Sequence, residues 1–370
     1  MFAIRKCWVS LLIFVCSISG FAQTRNVINI PDIPGYATLK CDFHTHTIFS
    51  DGDVWPTIRV DEAWAEGLDA LAISDHIEYH KYKDDIPVNL ERSFEAAKDR
   101  AEALNIILIK AAEITRDMPP GHFNALFVHD INKLDVKTWR DALKAAHDQG
   151  AYVFWNHPGW RQPNEIPIWY DEHTEILEKG WVQGLEIVNE KSYYPLALTW
   201  GLERNLTLMG NSDIHGLISL VYQQELGGHR PMTLVFVTEK SADGIKTALF
   251  EHRTAVFFNG TYYGKPVFLE PLFQESIKVE NPVVHVLNQG AAALEIENQS
   301  DVPLKLVKAD EVDGVDFPGN IVLEPHRATV LALRLHSKDS GTYKLPYTVE
   351  NMVVAPDQGL SITIEFSTEK

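Results

Sequence analysis

Two histidines stand one residue apart in FHTHTIFSDG, residues 43–52: His44 and His46, followed by Asp51 in a Ser-Asp-Gly turn. In an extended chain residues i and i+2 share a face, so the pair can aim two imidazoles at one point. Such a point is a metal site in prospect, although an isolated His-x-His more often supplies one surface and one core residue. Further stretches tip the balance: SDH (Asp75, His76), AEI (Glu113), GHFNAL (His122), NHPG (His157) and NSDIH (Asp213, His215). This mixture of nitrogen and oxygen donors suits Zn, Mn or Fe rather than Ca or Mg, which prefer all-oxygen shells. The nine candidates His44, His46, Asp51, His76, Glu113, His122, His157, Asp213 and His215 exceed what one ion accepts. Two or three divalent transition metal ions are expected, with a carboxylate free to bridge. Asp75 reads as an orienting neighbour, because a ligand histidine needs its second ring nitrogen fixed.

The elements that must position these residues follow from the hydrophobic pattern. Apolar runs at 70–74, 106–111, 124–128, 151–155, 184–188 and 206–210 read as strands, and they alternate with helix candidates such as 91–104 and 137–148. Most candidate ligands directly follow a run, and functional residues gather at the carboxyl ends of strands in barrels of parallel strands. His122 departs from that rule by preceding its run, so either its strand runs the other way or it comes from a loop. A closing helix and strand are expected over 242–275. Beyond about 276 the texture changes to short alternating strands separated by turn residues, a plausible β-sandwich.

Bulk properties bound the function. Arg5 and Lys6, an apolar run from Trp8 to Ile18 and small residues to Ala22 read as an export signal over 1–22, cleaved before Gln23. That run is too short to span a bilayer comfortably, no later stretch is long and apolar enough for a membrane helix, and a lipoprotein alternative through Cys16 is disfavoured by the bulk of Val15. A periplasmic or extracellular location follows. Without Cys7 and Cys16 the mature chain keeps only Cys41, which excludes an intrachain disulfide. The formal charge of −18 opposes extended nucleic-acid binding, while a small anionic substrate remains compatible with a local metal charge.

Taken in order, FHTHTIFSDG, ISDH, AAEI, GHFNAL, NHPG and NSDIH resemble the successive motifs of the PHP (polymerase and histidinol phosphatase) superfamily over about residues 38–270. The resemblance implies an α/β fold, a distorted seven-stranded β/α barrel over 23–275, with the small all-β sandwich-like domain over 276–370 behind it. The export signal and β-rich tail are more specifically similar to the secreted phosphodiesterases of the Sb-PDE group. By this resemblance His44, His46, Glu113 and Asp213 hold a first metal, and Glu113 bridges to a second held by His122 and His157. Asp51, His76 and His215 hold a third. Glu113, Asp213 and His215 stand nearest the chemistry. The implied activity is hydrolysis of a small-molecule phosphoester, preferentially a phosphodiester, in which clustered ions lower the pKa of a bridging water and offset charge on the phosphoryl oxygens.

His80, Arg116, Arg161 and Arg230 lie near motif loops and are candidates to contact the phosphate, set against the commoner solvated outcome. Surface roles are expected for His129, His147, His173, His252, His285, His326 and His336. The stretch HPGWRQPNEIPIWY suggests an aromatic rim beside the site. Asn189 reads as a scaffold residue. Alternatives are a phosphomonoesterase of the same fold, an amidohydrolase, which also opens on His-x-His but needs a strand-end lysine this chain lacks, and a noncatalytic binding protein.

Overall fold

The computed structural model describes residues 24–337 and 340–369, so the expected export signal lies outside the described residues. Seven strands make the barrel: β1 (Ala37–Asp42), β2 (Ala70–Ile73), β3 (Ile107–Ile114), β4 (Phe123–Leu126), β5 (Tyr152–Trp155), β6 (Gly184–Asn189) and, after the two-residue β7 (Ser192–Tyr193), β8 (Thr207–Asn211). Helices α1 (Pro56–Ala65), α2 (Arg92–Leu104), α3 (Trp139–Asp148), α4 (Asp171–Glu178), α5 (Pro195–Glu203) and the short α6 (Ile218–Val221) lie between or after them. The strands are buried on both faces, as a barrel wrapped by helices requires. In β2, Leu71 and Ile73 pack with Val60 and Ala63 of α1 and Ala97 and Ala101 of α2. The alternate residues Ala70 and Ala72 turn inward beside Leu39, Cys41, Ile109, Ala111, Tyr152 and Phe154. Ile245, Ala248 and Leu249 of α7 (Ala242–Phe250) join that inner plug. The thiol of Cys41 is therefore entombed, as expected of a structural cysteine.

β4 runs antiparallel to both β3 and β5, whereas β1–β2–β3 and β5–β6–β8 are parallel. The first residues of β4 therefore lie at the same end of the barrel as the last residues of its neighbours, which puts His122 with the other candidates and resolves its position before its run. A further strand, β9 (Met232–Val237), carries no motif and stood outside the expected pattern. It pairs antiparallel with β1, from Ala37–Val237 to Cys41–Thr233, and β10 (Thr254–Phe258) and β11 (Thr261–Gly264) continue the sheet. With that edge of β1 taken by β9, the β1 and β8 segments form no ladder; they pair through an isolated bridge between Thr45 and Ile214 and through side-chain bonds from Ser212 to Asp42 and from the Phe43 amide to Asn211.

After α8 (Pro266–Ser276) comes the tail: β12 (Ile277–Val279), β13 (Val283–His285), β14 (Ala291–Asn298), β15 (Leu304–Lys308), β16 (Val315–Asp316), β17 (Asn320–Leu323), β18 (Arg327–Leu335), β19 (Gly341–Ala355) and β20 (Gln358–Glu369). One sheet has the order β12–β14–β18–β16; in the other β13, β20, β19, β15 and β17 are neighbours. Alternate residues such as Leu294, Ile296, Leu331, Leu333, Leu345, Tyr347, Ile362 and Ile364 fill the space between. The sandwich is not set apart from the barrel. Past a bulge after Val349, β19 pairs in parallel with β11, Tyr262 with Met352 and Tyr263 with Val353. One buried apolar cluster runs from Ile30 and Val60 through Phe236 and Tyr262 to Phe366. Among the described residues no helix is long and apolar enough to cross a membrane.

Candidate metal centre

His44 and His46 lie just past the end of β1 rather than inside it, yet the extended chain there keeps their rings 5.1 Å apart. The carboxylate of Asp213 comes to 3.1 Å from His44 Nε2 and 3.0 Å from His46 Nε2, and Glu113 Oε2 to 3.5 and 3.4 Å from the same atoms. Glu113 stands at the centre. Its Oε1 lies 2.9 Å from His122 Nδ1 and 3.5 Å from His157 Nε2, and its Oε2 lies 2.8 Å from His76 Nδ1. On the outer side Asp51 Oδ1 is 3.5 Å from His76 Nε2 and 3.3 Å from His215 Nε2. The nine expected ligands thus form one continuous cluster, in which His46, Asp51, His76 and His215 make one group of convergent donors and His44, His46 and Asp213 another.

The protein lets these atoms meet at a backbone cost. Asp213 takes the left-handed conformation, φ 48°, and His157 has φ 24°, regions that non-glycine residues rarely occupy. Gly52 is required for a different reason: a Cβ there would stand 2.6 Å from the backbone carbonyl of His46. The turn that carries Asp51 is thereby pressed against the His46–Thr47 peptide.

Behind the cluster lies a polar floor. Glu186, wholly buried, receives His44 Nδ1 at 2.9 Å, the His157 amide at 2.7 Å and the side-chain amides of Asn189 and Asn211 at 2.8 and 3.0 Å. Asn156 donates to Glu113 Oε1 at 2.9 Å, and Thr115 Oγ1 lies 2.6 Å from His76 Nδ1. The carboxylate that fixes a histidine's second nitrogen is therefore Glu186, which the sequence hid between Leu185 and Ile187. Asp75 instead accepts from the Thr47 amide, Thr47 Oγ1 and Ser50 Oγ, so it secures the loop rather than a ring. Asn189 has the scaffold place expected of it.

Burial alone would push the His44 imidazole down, but the carboxylates of Asp213, Glu186 and Glu113 outweigh it and hold it well above the ordinary histidine range. The same contest, won by Glu113 and Asp51, lifts His76 to about 10. His46, buried beside His215 and His76, falls to about 4. Burial opposes ionisation of Glu113 and Asp213, yet the surrounding imidazoles hold both well below the carboxylate range. His44 Nε2, His46 Nε2 and Glu113 Oε2 are buried without a hydrogen-bond partner. Orphaned donors of opposite character facing one another are what a metal cluster fits, since a cation satisfies all of them at once.

The other candidates are dispersed. Arg230 is fully buried, ion-paired with Asp42 at 2.9 Å and with Glu66, and faces the interior beneath the site instead of a phosphate. His80 places its two ring nitrogens 2.8 and 2.9 Å from the carbonyls of Phe49 and Ile77, which makes it a loop fastener. Arg116 is tied to Glu78 and to the carbonyls of Thr115 and Val136. Arg161 is exposed, lies over the Trp160 ring at 4.3 Å and pairs with Asp117. Lys110 reaches the His129 carbonyl and Glu91, away from the cluster. His173 is buried, contrary to the surface role expected, because its ring stacks on Trp155 at 3.9 Å and bonds the Pro120 carbonyl. Of the expected aromatic rim only Trp160 fronts the site, 4.4 Å from His122 between ring centres; Trp169 packs on Trp155 and Trp200.

Two spaces open above the ligands. A cavity of about 300 Å³ lies directly on Asp51, His76, His122, His157, Asp213 and His215, with Glu190 and Tyr194 on its far wall. A groove of about 890 Å³ shares Asp51, His76, His122 and Trp160 with it and extends past Tyr79, Arg116, Lys137 and Arg161.

An Ig-like domain family matches residues 277–365. The chain is similar to a crystallised two-domain protein from Bacteroides vulgatus containing a predicted PHP-like metal-dependent phosphoesterase, with 43% identity and a TM-score of 0.89 over 93% of this chain and 100% of that one. It is also 36% identical to an uncharacterised protein of Methanocaldococcus jannaschii over 84 residues, 22% of this chain and 36% of that protein. The chain therefore spans little more than a third of that curated relative's length.

Proposed function

The chain belongs to the family of two-domain PHP-like metal-dependent phosphoesterases, and we propose that it hydrolyses phosphodiesters in preference to phosphomonoesters. His44, His46, Glu113 and Asp213 would hold one divalent ion, His122 and His157 with Glu113 a second, and Asp51, His76 and His215 a third, with Zn, Mn or Fe matching the donors. Such ions supply Lewis acidity, which makes water at the site more acidic and offsets charge on the phosphoryl oxygens. The chain's own part is orientation. Glu186 fixes the ring of His44, Asn156 holds one oxygen of Glu113, and Asp75 secures the loop that carries Asp51. No protein nucleophile is required; Ser50 is engaged with Asp75, and Cys41 is buried.

The observation that carries the diester reading is the groove beside the cluster. A diester brings a second substituent that needs room, and the groove continues the space over the ligands. Arg116 and Arg161 already have anionic partners there, and Asp117 and Asp135 share the walls with Lys137, so the groove offers little net positive charge to a dianionic monoester. Tyr79 and Trp160 give an uncharged substituent apolar surface. The test compares kcat/KM for bis(p-nitrophenyl) phosphate and p-nitrophenyl phosphate at fixed metal and pH. We expect the diester to win; a clear preference for the monoester leaves a phosphatase in its place. Export is part of the proposal, and the mature protein should begin at Gln23 when sequenced from its native compartment.

A further inference from the structure

We propose that Arg59 is a positioning residue that clamps the barrel at the seam without a regular ladder and so sets the distance between the ligands that follow β1 and those that follow β8. This inference rests on the metal-dependent reading above. The β1 segment brings His44, His46 and Asp51, and the β8 segment brings Asp213 and His215, yet the strand pairing between the two segments is the isolated Thr45–Ile214 bridge, supplemented by Ser212 on Asp42, the Phe43 amide on Asn211 and the Asp53 amide on the His215 carbonyl. β9 occupies the edge that would otherwise carry a ladder between them.

Arg59, on α1, is fully buried below this gap. A guanidinium has five N–H donors in a rigid fork, and here each has an acceptor. Nε donates to the His46 carbonyl at 2.8 Å, one terminal nitrogen to Gly216 O and Glu62 Oε2 at 2.7 Å each, and the other to His215 O at 2.7 Å and Ile214 O at 3.2 Å. Four of the five acceptors are carbonyls of the two ligand-bearing segments, and two of those belong to the ligands His46 and His215 themselves. The fifth partner, Glu62, accepts the Ile218 amide at 3.0 Å through its other oxygen, so the same helix face also fixes the chain just beyond His215. One planar cation thus adds four bonds across a seam that has no regular ladder. Lysine, with three donors at a single point, would hold the charge and lose the span.

The test compares the wild type with Arg59→Lys, Glu62→Gln and, as a control for mere loss of stability, Leu294→Ala in the sandwich core. Each protein is stripped of metal and titrated with Co2+ while the visible absorption bands are recorded, and kcat and KM are then measured. Arg59→Lys should weaken Co2+ binding and lower kcat on the order of tenfold, shift the cobalt bands, and leave KM within about twofold. Glu62→Gln should move the spectrum the same way by less. Leu294→Ala should lower the melting temperature and keep the wild-type spectrum. A folded Arg59→Lys protein with wild-type cobalt affinity, bands and kcat overturns the proposal. Should that variant not fold, a wild-type spectrum in Glu62→Gln overturns it instead. A wild type that binds Co2+ without hydrolysing any phosphoester removes the functional reading and leaves the cobalt comparison able to judge Arg59.

Discussion

Asp213 and His44 illustrate how single residues are committed to the site. Asp213 accepts a left-handed backbone angle, its carboxylate reaches two imidazoles, and His44 Nε2 makes no hydrogen bond but is ion-paired with that carboxylate at 3.1 Å. Replacing either by alanine should lower metal content and hydrolysis together, read by elemental analysis and turnover; loss of activity with full metal content would contradict this. Proton linkage gives a second expectation. His76, lifted to about 10, and His44, lifted in the same direction, hold protons at neutral pH in the metal-free protein and must release them to bind an ion. Apparent metal affinity should therefore rise as pH climbs from about 6.5 towards 10 and fall on acidification. Calorimetry in buffers of different ionisation enthalpy should detect proton release, and uptake without release would contradict the assignment. The candidates of the cluster were legible in the sequence because most of them stand beside an apolar run. Glu186 was not, since a lone carboxylate inside GLEIV has no spacing to mark it, and Arg59 was not, since its partners are carbonyls that any sequence possesses.

At the level of elements, the pattern did not reveal β9, and it left the reversal of β4 open against a loop position for His122. Hydrophobic periodicity identifies a strand but not its direction, and β9 has no motif at its end to draw notice. The turn over 50–52 is a tight device of the same scale. Because a side chain on Gly52 would collide with the His46–Thr47 backbone, which cannot rotate away, Gly52→Ala should displace Asp51 and lower the metal-to-protein ratio. An unchanged ratio would show that the turn yields. At the junction with the sandwich, Asn351 donates to Gly260 O and Pro303 O at 2.8 Å each and accepts from the Lys305 amide at 3.0 Å. Its replacement by alanine leaves those groups without their partner and should cost about 2 kcal/mol in denaturant unfolding, with metal content unaffected.

For the molecule as a whole, the sequence marked the change of texture near 276 but not the sharing of a sheet, because pairing between β11 and β19 leaves no local trace. A chain ended near 275 would bare the edge of β11 and the core side chains Tyr262, Leu272 and Phe273. It should aggregate or stay unfolded, as judged by size-exclusion chromatography; a stable, metal-replete monomer would show that the barrel stands alone. The same pairing also bears on how the chain is made. Tyr262 waits for Met352, which is synthesised roughly 90 residues later, so the edge of β11 stays open until nearly the whole polypeptide has emerged. During that interval any other strand can take the place of β19, and crowded synthesis would favour exchange between neighbouring nascent chains. Passage across a membrane in the unfolded state, followed by folding of the complete chain, would shorten the time for which that edge is left unmatched.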